Sequence, residues 1–127
     1  MDDPLEEARA FVYANIPSVD HFRVLLLLHD DPERSWQAFE VVGRLRLPPP
    51  VAEAALAFLH GRRLLRQDHA DLCYRYAPHT PELSEMIHKL ADLDRERPVS
   101  LIRMIYSRPT EPQAFADASR IRKTQDS

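Results

Sequence analysis

The chain has one cysteine, two glycines and no long apolar run, and each scarcity closes off a class of protein. A single cysteine, Cys73, can form neither an internal disulfide nor a cysteine-built metal cluster, and reads as a small apolar strand residue. Two glycines are too few for a glycine-rich phosphate loop. Against eleven prolines they also argue against a large antiparallel sheet protein and favour helices ended by proline. No apolar stretch approaches the roughly 20 residues that cross a bilayer; the most apolar run is Val24–Leu28. The acidic start MDDPLEEAR is the opposite of a signal peptide's basic opening, so the expected location is cytoplasmic, with no membrane partner. Six histidines are present, but no two of them stand four residues apart as a helical zinc-binding pair would, and His29-Asp30 reads as a helix-end turn. We therefore assign no catalytic residue, no metal and no cofactor, and expect that the chain is not an enzyme.

What is present fits one domain with extensions: 127 residues, 44% of them hydrophobic, suffice for a real core. The net charge of −3 is unevenly spread. Residues 1–40 hold nine acids against three arginines, for −6, whereas residues 41–66 hold five arginines against Glu53 alone, for +4. The remaining residues come to −1. The one basic block is formed by Arg44, Arg46, Arg62, Arg63 and Arg66.

That block coincides with the most informative stretch, FEVVGRLRLPPPVAEAALAFLHGRRLLRQDHADLCYRY, from Phe39 to Tyr76. Val41, Val42, Leu45 and Leu47 put an apolar stripe on one short helix and its exit turn, and Ala52, Ala55, Leu56 and Leu59 put another on the next. The period then turns alternating. Leu64, Leu65 and Arg66 are expected as one strand, residues 68–71 as a tip, and 72–76 as the return strand, with Leu72, Tyr74 and Tyr76 on one face and Cys73 and Arg75 on the other. This is the order of a helix-turn-helix followed by a wing.

The flanking segments are helical. Residues 4–16 open with proline and two glutamates and carry Leu5, Ala8, Phe11 and Val12 at helical spacing. Ser18 can cap a central core helix bearing Val19, Phe22, Leu25, Leu26 and Leu28, which His29-Asp30-Asp31-Pro32 stops. Arg34, Ser35 and Trp36 come just before the next helix, where winged-helix folds place a very short strand that pairs with the hairpin, Trp36 anchoring it. Either Ser35 or Gln37 caps that helix, with Glu40 standing as the capping-box acid if Gln37 does so. Thr80-Pro81-Glu82 starts a further helix, and its apolar register resumes after Pro98, giving one kinked helix or two that meet there. Thr110 with Gln113 suggests a last short helix through Ile121, with a tail behind it. The division is 1–17 helical extension, 18–78 winged-helix domain, 79–107 long kinked helix and 108–127 closing helix and tail.

On the residues VVGRLRLPPPVAEAALAFLHGRRLL and the hairpin ending CYRYAP, the chain resembles the bacterial winged-helix regulators of the MarR-like kind over roughly residues 20–78. Its second half, closing on IYSRPTEPQAFADASRIRK, is similar to a group of small proteobacterial winged-helix proteins. The fold class this implies is mostly α with a small β-hairpin, a winged helix-turn-helix plus long C-terminal helices. The resemblance implies a transcriptional regulator that reads DNA with its second helix and holds phosphates with its wing and flanking arginines. Here the reading helix is degenerate. Its exposed positions are Pro50, Glu53, Ala54 and Ala57, a carboxylate and methyl groups where base reading needs Arg, Lys, Asn or Gln donors worth about 1–3 kcal/mol each. Arg46 and Arg63 stand where glycines are usual, at turns that favour left-handed backbone, at a cost of about 1 kcal/mol apiece.

The candidate DNA contacts are Arg44, Arg46, Glu53, Arg62, Arg63, Arg66 and His69. Phosphates, the chain's own acids and the carboxylates of a protein partner are all open to these arginines. Two partner readings follow: duplex DNA held weakly and mainly through phosphates, or a protein packed on the smooth Ala54–Ala57 face of a module that has lost base reading. The candidate homodimer interface is Leu90, Leu93, Val99, Leu101, Ile102, Ile105 and Tyr106. The segment from Val99 is apolar nearly all round, so it packs into the core or against a second subunit.

Overall fold

The structure is a computed structural model that describes residues 3–68, 70 and 72–107. Within them the chain is mostly helical, with six helices and one two-stranded antiparallel sheet. His69, Asp71 and the expected closing helix over 108–127 lie outside the described residues.

Local chemistry starts the helices where the sequence indicates. α1, Pro4–Asn15, is capped by Asp3, whose carboxylate accepts from the Leu5 N–H at 3.0 Å. α2, Val19–His29, is capped by Ser18, whose hydroxyl accepts from the His21 N–H. α2 is largely apolar and is the central element, packing against α4, α3, α6 and the hairpin. Between α2 and α3, Trp36 makes an isolated antiparallel bridge to Tyr74, with both N–H to C=O distances 2.8 Å. This is the short pairing segment expected before α3.

α3, Ala38–Leu45, opens with the Glu40 carboxylate accepting from the Gln37 N–H at 2.8 Å. It ends at Arg46, whose left-handed backbone (φ 58°, ψ 47°) turns the chain toward α4, Pro49–Gly61. Across that turn the Arg23 guanidinium of α2 donates to the Leu45 carbonyl at 3.0 Å. Ala52, Ala55, Leu56 and Leu59 of α4 are fully buried, as is Val41 of α3. A second left-handed residue, Arg63 (φ 64°), leads into the hairpin. Both expected left-handed positions are therefore occupied by arginine.

The hairpin pairs β1, Leu65–Asp68, with β2, Cys73–Tyr76, in the register Leu65 to Tyr76, Arg66 to Arg75, Gln67 to Tyr74 and Asp68 to Cys73. Three expectations need correction. Asp68, expected in the tip, is the last residue of β1 and pairs with Cys73. Leu64 precedes the strand, although its carbonyl accepts from the Ala77 N–H at 3.1 Å. Leu72 leaves the Tyr74–Tyr76 face: pairing ends at Asp68 and Cys73, so Leu72 belongs to the connection, takes left-handed backbone (φ 54°) and is 64% exposed.

α5, Pro81–Glu96, is capped by the Thr80 hydroxyl. Arg97 has φ −141°, ψ 59°, outside helical geometry, as a residue preceding proline tends to be, so α5 stops and α6, Pro98–Tyr106, begins as a separate helix. Two helices meeting at Pro98 replace one long kinked helix. α1 packs against both, and the Lys89–Glu7 and Arg97–Asp3 ion pairs, at 3.2 and 3.3 Å, tie the same elements at the surface.

Candidate nucleic-acid interface

α4 turns its apolar stripe inward, so Pro50, Glu53, Ala54 and Ala57 are exposed, as their spacing requires. Phe58 joins them at 37% exposure, its ring edge-on to His21, and Phe39 of α3 is 68% exposed. Glu53 is the single charged group on the exposed α4 face, and it is an acceptor. No side chain on that face can donate to a guanine or adenine edge.

The five arginines of the basic block do different work. The Arg44 guanidinium lies 5.2 Å from the Trp36 ring centroid, and Arg34 lies closer, at 3.7 Å, while pairing with Glu40 at 3.1 Å. Trp36 is 1% exposed, so these cations cover a buried ring by cation–π contact. The Gln37 N–H, with Arg34 beside it, holds the Glu40 carboxyl below its ordinary value. Arg62 donates through Nε to Asn15 Oδ1 at 2.8 Å, and the buried Asn15 amide in turn donates to the Phe11 carbonyl at 3.1 Å. Arg62 therefore fastens the end of α4 to the end of α1. Arg46, exposed in its turn, makes no side-chain ion pair among the described residues.

Arg63 and Arg66 come together. With His60, Gln67, His79, Leu65, Ala77 and Pro78 they line a hollow of 420 Å³ at the base of the hairpin, and none of the described residues lining it is acidic. The backbone holds it in shape, because the Arg63 carbonyl accepts from the His79 N–H at 2.9 Å. Arg66 also lines a second hollow, of 510 Å³, on the outer face of the ribbon with Ser35, Gln67, Asp68, Ala70, Cys73 and Arg75. The register sets Arg66 directly opposite Arg75. Like charges so placed weaken a hairpin, and an anion seated between them would offset that repulsion.

Sequence reasoning missed Arg75, His60 and His79 as members of this group. Alternation placed Arg75 on the outer face, but its apposition to Arg66 depends on the hairpin register and hence on loop length. The position of His79 depends on backbone pairing that continues past the last strand residue.

The seven residues expected at a dimer interface separate. Leu90, Leu93, Leu101 and Ile105 are at most 3% exposed inside this chain's own core, covered through the packing of α1, α5 and α6. They are thus already covered without a second copy. Ile102 is half-buried beside an apolar groove lined by Val19, Phe22, Leu26, Leu27 and Leu45, while Val99 and Tyr106 are 62% and 75% exposed.

Among the described residues no group of three or more His, Cys, Asp or Glu side chains is placed to hold a metal ion, and no helix is long and apolar enough to cross a membrane. In comparisons with family models, curated proteins and solved structures, nothing matches the chain.

Proposed function

We propose that this chain is a small winged-helix regulator of transcription that binds duplex DNA through phosphate contacts, with little direct reading of bases. The winged-helix reading is supported by the order α2, Trp36 bridge, α3, left-handed turn, α4 and hairpin. The observation that carries DNA binding is the hollow of His60, Arg63, Arg66 and His79, continued across the ribbon by Arg75. Guanidinium groups that make no ion pair among the described residues suit phosphate oxygens, which they can grip bidentately. The bare α4 face predicts weak sequence preference, since phosphate contacts position a protein without specifying sequence.

The test is affinity for short duplexes of unrelated sequence across a salt series. Binding should weaken as salt rises, with a logarithmic slope of about −0.9 per phosphate contact. Arg63→Ala, Arg66→Ala and Arg75→Ala should each lower affinity on all duplexes alike and flatten that slope by about one contact. Absence of binding at low salt refutes the reading.

A specific observation favours a second reading. Ala54, Ala57 and Phe58 expose methyl groups and an aromatic ring on α4, and Phe39 of α3 is exposed as well; exposed apolar side chains of this kind suit a protein partner. Ala54→Arg would disrupt such a contact while leaving phosphate binding at the hairpin in place, so the two readings separate in one variant.

A further inference from the structure

At the end of α2, one imidazole joins three elements that are distant in sequence. His29 Nδ1 lies 3.0 Å from Asp30 Oδ1, and its Nε2 lies 2.9 Å from Nδ1 of His88 on α5. Its ring meets the Tyr76 ring of β2 edge-on, at 5.2 Å between centroids. The His29 side chain is only 12% exposed.

The hydrogen bonds dictate where the protons sit. An ionised carboxylate only accepts, so His29 donates from Nδ1, and a neutral His29 then has a lone pair on Nε2. His88 must therefore donate from its own Nδ1. Two neutral rings are compatible with this geometry only when both are Nδ1–H tautomers. One added proton preserves the contact, because a neutral ring remains to accept from the charged one. Two added protons destroy it: every ring nitrogen is then a donor, and two cations face each other at 4.9 Å between centroids.

We propose that Asp30, His29 and His88 form a proton-counting latch that fastens α5 to the end of α2 and the hairpin, closed with zero or one added proton and opened by the second. Among the described residues the titratable groups in contact with His29 are Asp30, just past the end of α2, Tyr76 from β2 and His88 from α5, and no other charged group bonds to either ring. Burial pushes the Tyr76 phenol up, so it stays neutral throughout the range in which imidazoles titrate. The latch is independent of any nucleic-acid role.

Two measurements on the full chain test it. Long-range ¹H–¹⁵N correlation at pH 8 should show His88 as the Nδ1–H tautomer, the minor form of a free imidazole; an Nε2–H His88 overturns the proposal. Melting should then be compared at pH 7.5 and 5.0 for the native chain and for His88→Gln, whose amide can donate to a neutral His29 or accept from a charged one. The native chain should lose more than the variant over that interval; equal losses overturn the latch. Should His88→Gln fail to fold, the tautomer of the native chain decides alone.

Discussion

Replacing Arg62 by alanine separates a structural arginine from a binding one. In sequence Arg62 is indistinguishable from its neighbour Arg63, and both belong to the basic block. In the fold Arg62 Nε donates to Asn15 Oδ1 at 2.8 Å, and Asn15 is only 8% exposed. Removing the guanidinium leaves a buried amide oxygen without its donor. Hydrogen bonds to charged groups contribute about 1.5–3 kcal/mol, and a buried group left unsatisfied costs about 1–3 kcal/mol. The exposure of Arg62 lets water replace part of the loss, so we expect about 1–1.5 kcal/mol. For a chain of this size that corresponds to a fall in melting temperature of about 3–6 °C.

Urea unfolding, followed by the fluorescence of the single, buried Trp36, would measure the cost. A double-mutant cycle with Asn15→Ala should show a coupling of at least about 0.5 kcal/mol, because the two side chains share one bond. Affinity for duplex DNA should change less than for Arg63→Ala. Unchanged stability together with a loss of DNA affinity matching that of Arg63→Ala would refute the assignment and return Arg62 to the phosphate-binding set.

Three further outcomes are expected. Arg46→Gly and Arg63→Gly should each be neutral or stabilising by up to about 1 kcal/mol in denaturant titrations, since glycine adopts left-handed backbone without the side-chain penalty; a loss of 1 kcal/mol or more would mean that the arginine side chains hold those turns. Leu56→Ala, at a fully buried site on α4, should cost about 2–5 kcal/mol by urea unfolding. Glu40 titrates below its ordinary value in the fold, so its contribution to stability is complete above the unfolded-state value and is lost as pH falls through the folded one. Glu40→Gln should therefore flatten the decline in stability below about pH 4.5, and an unchanged acid limb would count against the Gln37–Glu40 contact.

Helix starts were legible because capping is local: Ser18 and Thr80 are read against residues three places away, and each accepts the N–H that its position implies. The buried stripes of α3 and α4 were legible through helical periodicity. The left-handed turns at Arg46 and Arg63 could be foreseen because the resemblance marks where chain reversal needs them. Leu72 misled because alternation continues in sequence past the point where pairing stops. Loop length, not side-chain pattern, decides where a ribbon ends.

The basic interface was legible only as a block of charge. Arg44, Arg62 and Arg63 look alike in sequence, yet one covers Trp36, one fastens α1 and one lines the hollow. Composition and periodicity alone determined a mostly helical chain with a basic middle, because those properties depend on residues near one another. Whether Leu90, Leu93, Leu101 and Ile105 meet α1 or a second copy, and which arginines remain open to an anion, was decided by tertiary packing. Burial and pairing depend on residues brought together from distant parts of the chain, such as His29 with His88, 59 positions apart, and no local pattern encodes which surface reaches them first.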